Sequence, residues 1–584
     1  MVHAKRHKHT GRTTNDRIVV VLAIGWALLV VLWGRCAWLQ IFNAQHVSDM
    51  AQAQHQANEI LPGRRGTIYD RTGRALAVSV AAPSVYANAR RMDNKFDVAH
   101  QLATAVGRNV HMIQSRLDQD RGFVWIARQV DPVVTPSLET LRTEGVGWLE
   151  EQKRLYPQGK LAGHIVGFTD IDQHGLEGLE LSLNKALQGQ DGRRATLRDA
   201  KGNWLVGPWT TETEPVDGND VVLTIDSVVQ QAAEEALDWG VKKYHAKGGS
   251  IIVMDPASGE VLAIANAPAY DPNEPAKSAP ENRRNRSVTD VFEPGSIFKI
   301  ITASALIEEH RITPDEKIFC ENGSWPTPGR HLLHDHRPHG MLSFHDVIVN
   351  SSNIGTAKAA QRLKPDELYK YIRAFGIGQR TGIDMPGEVN GLLNPPSQWS
   401  KLSPYIIPIG QEVATTPIQL AVMTAVIANG GLRVRPHIVS RVQTTDGEVL
   451  RTAQMPAPER VISRETAEII QDMLTGVVAS GTGQLANVPG LTVAGKTGTA
   501  QKLEPTGRYS HSRFVASFVG FGPVPDARFV MAVSIDEPRP LYFGGVVSAP
   551  IFKRIVERLA SYWGLERHPA QQKDAPELHE AAKD

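Results

Sequence analysis

Between Ile18 and Gly34 the chain carries no charged residue over a run of 17 positions. As a helix that run is roughly 26 Å long, a little short of a bilayer core. Leu39, Ile41 and Phe42 extend it, Arg35 can snorkel, and Trp33 and Trp38 suit an interface. Lys5, Arg6, Lys8, Arg12 and Arg17 precede it against the single acid Asp16. No small-x-small cleavage site closes the run, so it reads as an anchor over 18–42 rather than a removed signal peptide. The basic leader, 1–17, is expected in the cytoplasm and everything after about residue 43 outside. At 584 residues the chain is too long for one ordinary domain. A net charge of +1 gives no electrostatic reason for nucleic-acid binding. With Cys36 in the anchor, Cys36 and Cys320 cannot form a disulfide.

Past the anchor, Val47 to Glu59 reads as a polar helix. Thr67 to Tyr69, the turn Asp70 to Gly73 and Ala75 to Val80 read as a hairpin, its arginines and Asp70 a solvated charge network. Residues 95–147 mix short helical patterns with turns. Ala162 to Phe168 suggests a strand and Gly175 to Asn184 a helix. A Pro/Thr/Gly-rich stretch, 206–219, marks a boundary. Beyond it come a strand at Val221 to Ile225, a helix from Ser227 to Lys243 that Ser227 can cap, and strands at 249–254 and 260–265. Late strands are expected at 491–494, 514–520 and 528–534, with a closing helix over 549–562. Strands first, buried helices in the middle, then strands and a helix again predict an α+β fold, one sheet with helices around it. The polar tail, 568–584, is expected to be disordered.

The chemistry concentrates after Pro294-Gly295. Ser296-Ile-Phe-Lys299 opens an apolar run to Ile307, which reads as a buried helix. Three residues apart, Ser296 and Lys299 share one helix face. A hydroxyl needs a base to become a nucleophile. Burial lowers the pKa of a lysine enough for its amine to serve. Alone, this tetrapeptide reads as readily as a capped helix start with a snorkelling lysine. Two more motifs follow: Asn350-Ser351-Ser352-Asn353, between two helical runs, and Lys496-Thr497-Gly498-Thr499, continuing a strand. Each alone is an ordinary cap or a charged edge strand.

In this order, Ser-x-x-Lys, Ser-x-Asn and Lys-Thr-Gly resemble the motifs of penicillin-binding proteins and serine β-lactamases. Nearly the whole chain resembles class B penicillin-binding proteins, the single-pass D,D-transpeptidases. Arg65 to Ala77 is similar to their pedestal signature. Asn285 to Asp290, Gly410 with Thr416 to Ala421, and Gly481 to Gly483 are similar to elements of their catalytic domain. Arg154 to Pro157, Gly163 to Gly167 and Gly175 to Glu180 look most like the division-specific, FtsI-like branch. Ile297 varies the usual loop, and Gln411-Glu412 departs from a common Tyr-Gly form.

The resemblance implies an elongated pedestal over 43–215 and a transpeptidase domain over 216–567, an antiparallel sheet with flanking helices. It implies no cofactor and no metal. Ser296 would attack a terminal D-Ala-D-Ala with Lys299 as base. Ser351 would relay a proton, with Ser352 as the register alternative, and Asn353 would hold the substrate amide. Lys496 would supply positive potential, Thr497 and Thr499 would take the terminal carboxylate, and Gly498 would let substrate lie against the strand. Backbone N–H groups of Ser296 and Thr499 would form the oxyanion hole. Implied partners are peptidoglycan stem peptides, β-lactams as inhibitors, and a SEDS-type glycosyltransferase with other divisome membrane proteins at the inner membrane. Lateral-wall elongation, a membrane-bound β-lactamase and a penicillin sensor are the competing readings. His331, His334, His336 and His339 around Asp335 fit no strong zinc spacing and read as a polar loop at the site's mouth.

Overall fold

The computed structural model describes residues 12–45, 56–142, 145–198, 204–205, 211–327, 331–504 and 507–565. The stretch 47–55 and the tail from 568, both given expectations above, lie outside these residues. The chain divides into two compact units.

The first unit comprises residues 1–63 and 190–216. It holds the helix Arg12–Ala37, continued by a wider turn over Trp38–Phe42. The segment Asp16–Ile41 is long and apolar enough to cross a membrane. Gln56–Leu61 is a strand, not the end of a helix. It pairs antiparallel with Gly192–Arg198, so Gln56 lies opposite Leu197 and Leu61 opposite Gly192. A partner that far along the chain leaves no trace in local periodicity.

The second unit comprises 64–189 and 217–584. Ile68–Tyr69 runs antiparallel to the long strand Ala75–Ala87 and parallel to Asp220–Leu223. A seven-stranded sheet therefore joins the 68–87 hairpin to strands before the Ser296 motif and between the Ser351 and Lys496 motifs. Arg64, Arg71 and Arg74 are exposed as expected, but two of the hairpin's charges are not solvated. Arg65 is 3% and Asp70 0% exposed. Glu180, also fully buried, takes Arg65 Nε on one oxygen and Arg154 Nε on the other, both at 2.6 Å. Asp70 accepts from the Ser227 hydroxyl at 2.5 Å and from Thr72 and Arg74. Burial pushes its pKa up, but these hydrogen bonds outweigh that and hold it below the usual carboxylate range. With Ser227 spent on Asp70, the following helix is capped by Asp226, which accepts from Val228 N and Val229 N. Residues 163–166 form a helical turn rather than a strand. Ala162 and Gly167, at φ 57° and 78°, bend the backbone at both ends, and a four-residue buried run has no period by which to tell the two apart.

The catalytic sheet has five antiparallel strands. In chain order they are β1 (Gly248–Met254), β2 (Val261–Ala267), β3 (Ala494–Leu503), β4 (Tyr509–Gly522) and β5 (Phe529–Asp536), arranged β2-β1-β5-β4-β3. β3 begins at Ala494, so Leu491 to Val493 lead into it without belonging to it. Alternate residues face opposite layers. Ile252, Val519 and Ala532 join the core that holds Lys299–Glu308 and the fully buried helix Pro417–Ala428. Ile251, Phe518 and Val533 pack with Ser227–Lys243 and Gly544–Tyr562. Two covered faces explain why these strands read as apolar runs.

The buried Arg65–Glu180–Arg154 cluster yields a stability test. Glu180→Ala strands two buried guanidinium groups and should cost about 3–5 kcal/mol. Replacing all three residues with Met, Leu and Met should cost less, because no charge is then left unpaired. Denaturant unfolding of the detergent-solubilised chain reads both; an equal loss would contradict this account of the cluster.

Candidate active site

Ser296 does not sit in the α-helix proper. Gly295–Phe298 is a 3-10 turn that runs directly into the helix Lys299–Glu308, whose first nine residues are buried. In a 3-10 turn positions i and i+3 eclipse, which sets Ser296 and Lys299 on one side. The turn is wedged in place. Gly295 N donates to Gly410 O at 3.2 Å. Gly410 has φ 85°, and a Cβ there would fall 2.2 Å from Gly295 O. On the other side a Cβ on Gly498 would meet Ser517 Oγ at 2.5 Å and both Ile297 Cγ1 and Pro294 O at 2.9 Å. Glycine at 498 therefore lets β3 close onto the Ser296 turn, a packing need the sequence reading had placed on the substrate side.

Lys299 and Lys496 are both fully buried. Lys299 Nζ donates to Ser351 O at 2.6 Å and to Asn353 Oδ1 at 2.8 Å, and lies 3.2 Å from Ser351 Oγ. Lys496 Nζ reaches the same Ser351 Oγ at 2.8 Å. Burial lowers the Lys299 pKa to about 7, against the opposing pull of Asp335 and Cys320. Burial, and then the like charge of Lys299, bring Lys496 well below its ordinary value. Two amines around one hydroxyl hold one proton more readily than two. A neutral Lys299 can give its two N–H bonds to Ser351 O and Asn353 Oδ1, which leaves its lone pair for a hydroxyl. Among the described residues the Ser296 hydroxyl has no hydrogen-bond partner.

The register of the middle motif is visible in its contacts. Ser351 has φ 60°, an uncommon conformation for a residue with a side chain, and it turns both its carbonyl and its hydroxyl to the lysines. Ser352 is occupied elsewhere. Its Oγ caps the helix Asn353–Ala360 by accepting from Gly355 N and donates to Asp335 Oδ2 at 2.6 Å. Asp335 also accepts from Asn353 N and Ile354 N, at 2.5 and 3.0 Å, and His334 O accepts from Asn353 Nδ2 at 2.8 Å. The sequence marked this loop only as polar. Its work in the structure is to clamp the Ser-x-Asn segment, and its reach is extended by the His336 ring, 4.5 Å from that of Phe543.

Lys496, Thr497, Gly498 and Thr499 lie on β3, the last strand of the sheet. Thr499 Oγ1 accepts from Gly544 N at 3.0 Å, so its own hydrogen is free to point outward. Thr497 Oγ1 shares a hydrogen bond of 2.8 Å with Thr482 Oγ1. Thr482 belongs to Gly481-Thr-Gly483, noted in the sequence without a role. A Cβ on Gly295 would fall 2.9 Å from Thr499 O and 3.7 Å from its N, so the Ser296 turn and Thr499 are neighbours.

A serine three residues before a buried, near-neutral lysine, with a second hydroxyl linking that amine to another lysine and an edge strand alongside, suits serine acyl transfer. Comparison with known proteins agrees. Residues 249–557 match the penicillin binding protein transpeptidase domain and 60–223 the penicillin-binding protein dimerisation domain. The probable peptidoglycan D,D-transpeptidase PenA of Neisseria gonorrhoeae is 34% identical over 551 residues, 93% of this chain and 92% of the relative. Peptidoglycan D,D-transpeptidase FtsI of Escherichia coli is 31% identical over 566 residues, 94% and 92% of the two chains. The crystal structure of penicillin binding protein 3 from Mycobacterium tuberculosis, complexed with aztreonam, is 30% identical with a TM-score of 0.69 over 89% of this chain and 100% of that one. The chain belongs to the class B penicillin-binding proteins, and its enzyme class is the serine-type D,D-transpeptidase.

With a Lys299 pKa near 7, the neutral amine becomes populated as pH rises through that value. Acylation by a β-lactam should rise about tenfold per pH unit below it and level off above it. Stopped-flow acylation of the full-length protein checks this; a flat profile from pH 5 to 9 would remove Lys299 from the base role.

Proposed function

We propose that this chain cross-links stem peptides through an acyl ester on Ser296, with two buried lysines sharing Ser351 as the observation that carries the reading. Ser296 Oγ attacks the penultimate D-Ala carbonyl and passes its proton to Lys299. The oxyanion is held by the N–H groups of Ser296 and Thr499; the first N–H groups of a helical turn have no internal partner. As the C–N bond breaks, Ser351 hands a proton from Lys299 to the departing D-Ala amine. Lys496, Thr497 and Thr499 hold the terminal carboxylate, and Asn353 the substrate amide. An amine of a neighbouring stem peptide then attacks the ester, and Ser296 recovers its proton.

The anchor, 18–42, is single-pass with the N-terminus in the cytoplasm, supported by the basic leader and the apolar helix. The pedestal, 43–215, and the transpeptidase domain, 216–567, then stand outside the inner membrane. Similarity in 154–180 to the FtsI-like branch favours septal synthesis, beside a SEDS-type glycosyltransferase and other divisome proteins. A β-lactamase would need a base aiming water at the acyl carbonyl, whereas orientation on an enzyme favours a held amine over bulk water.

Single-turnover mass spectrometry of the acylated full-length protein separates the two. The penicilloyl ester should persist, absent in Ser296→Ala, while the ester from a D-Ala-D-Ala-like thioester should clear faster with a D-amino-acid acceptor. Release of hydrolysed penicillin within seconds, indifferent to acceptor, would favour the lactamase.

A further inference from the structure

The Ser296 turn is held from one side by the segment 410–415. Phe292 and Thr415 exchange two backbone hydrogen bonds, at 3.1 and 2.9 Å, and Gly295 N donates to Gly410 O. Between these rungs Glu293 Oε1 accepts from Glu412 N at 3.0 Å and from the hydroxyl of Tyr509, the first residue of β4, at 2.8 Å. One carboxylate oxygen, three residues before the nucleophile, thus joins the 410–412 turn to the catalytic sheet. The reaction steps above make no use of it.

Glu412 presents that N–H from an uncommon backbone conformation. Its φ is 59°, in the left-handed region, which costs a residue with a Cβ and is open to glycine. Glu412 also stands where the common Tyr-Gly form has its glycine. A left-handed residue with a side chain persists only where its surroundings fix it. Here Glu412 Oε2 accepts from the Ser403 hydroxyl at 2.5 Å. Ser403 is 1% exposed, and its Oγ is itself held by Ser400 N at 2.8 Å. The carboxylate therefore ties residue 412 back to residue 403. Within that loop Gln411 N donates to Ile406 O and Gly410 N to Ile407 O. The loop also grips the catalytic helix, because Pro408 O accepts from Thr302 Oγ1 at 2.8 Å.

The carboxylate of Glu412 could act through its charge instead. Burial pushes the Glu293 pKa up, the two hydrogen bonds oppose that, and the Glu412 charge adds to the rise. Yet Glu412 meets Glu293 through its N–H and gives its carboxylate to Ser403, which suits a support better than a charge partner. We propose that Glu412 is a positioning residue for acylation. Its carboxylate, fixed on Ser403, holds the left-handed backbone that glycine would adopt unaided, and so keeps Glu293 and the Ser296 turn in place against Lys299. This rests on Ser296 as the nucleophile of the transpeptidase reading.

The test uses the full-length protein in detergent and benzylpenicillin. Stopped-flow acylation is resolved into the dissociation constant of the first complex and the acylation rate constant. Glu412→Ala should lower the rate constant about tenfold, the scale of the left-handed penalty, and leave the dissociation constant within about twofold. Glu412→Gly should recover most of that loss. Ser403→Ala should slow acylation as Glu412→Ala does, but should change nothing further when combined with Glu412→Gly, which needs no anchor. A Glu412→Gly protein as slow as Glu412→Ala would overturn the proposal in favour of a charge role. Ser403→Ala at the unaltered rate would overturn it too. If Glu412→Ala does not fold, Ser403→Ala, alone and combined with Glu412→Gly, decides. Either contrary result leaves the transpeptidase reading intact. If benzylpenicillin does not acylate Ser296 in the unaltered protein, both fall.

Discussion

The proposed chemistry depends on two lysine ammonium groups that folding removes from water. Lys299 and Lys496 approach one hydroxyl, that of Ser351, from two motifs 197 positions apart in the numbering. Among the described residues neither has a carboxylate partner within hydrogen-bonding reach. Desolvation and mutual repulsion therefore both favour the loss of a proton, and a lost proton is what makes an amine a base. A carboxylate on either lysine would have lifted its pKa and disabled it. Asp335 is the acid that pulls Lys299 back, and it is bound up with Ser352, Asn353 and Ile354 instead.

The rest of the fold makes that desolvation possible. The helix behind Ser296 is buried over its first nine residues and packs against the helices Asn353–Ala360, Pro365–Ala374 and Arg464–Ala479, while Pro417–Ala428 lies against the sheet. Gly498 and Gly410 let β3 and the 407–410 turn close on the Ser296 turn from two sides. The hairpin at 68–87 belongs to the same body, because Ile68–Tyr69 adds to Asp220–Leu223 and Asp70 holds Ser227. A defect in the Arg65–Glu180–Arg154 cluster would thus reach the catalytic unit through packing rather than through any contact with substrate.

Much of this was legible in the sequence, and the boundary has a physical cause. Ser296, Lys299 and Lys496 stood out as candidates through the order of three motifs and the resemblance it carries, since each motif alone reads as an ordinary cap or edge strand. The apolar span and the catalytic strands, apart from a late start for β3, follow from local pattern. What depends on distant partners could not be read. Glu180 meets Arg65 across 115 positions, Gln56–Leu61 finds its strand at 192–198, and Asp335 finds its clamp at 352–354. Arg65 looks solvated, as its exposed neighbours Arg64, Arg71 and Arg74 are, until Glu180 is known as its partner. The turn at 163–166 failed for a different reason: four buried residues carry no period.

The most direct test of the account is the ionisation of Lys299 itself. Lysines in the full-length protein, labelled with ¹³C at Cε, can be followed by NMR through a pH titration, with Lys299→Met to assign the signal. The account predicts that Lys299 titrates near pH 7. A Lys299 that titrates near the ordinary lysine value of about 10.4 would show that burial does not make it a base, and the mechanism built on it would fail.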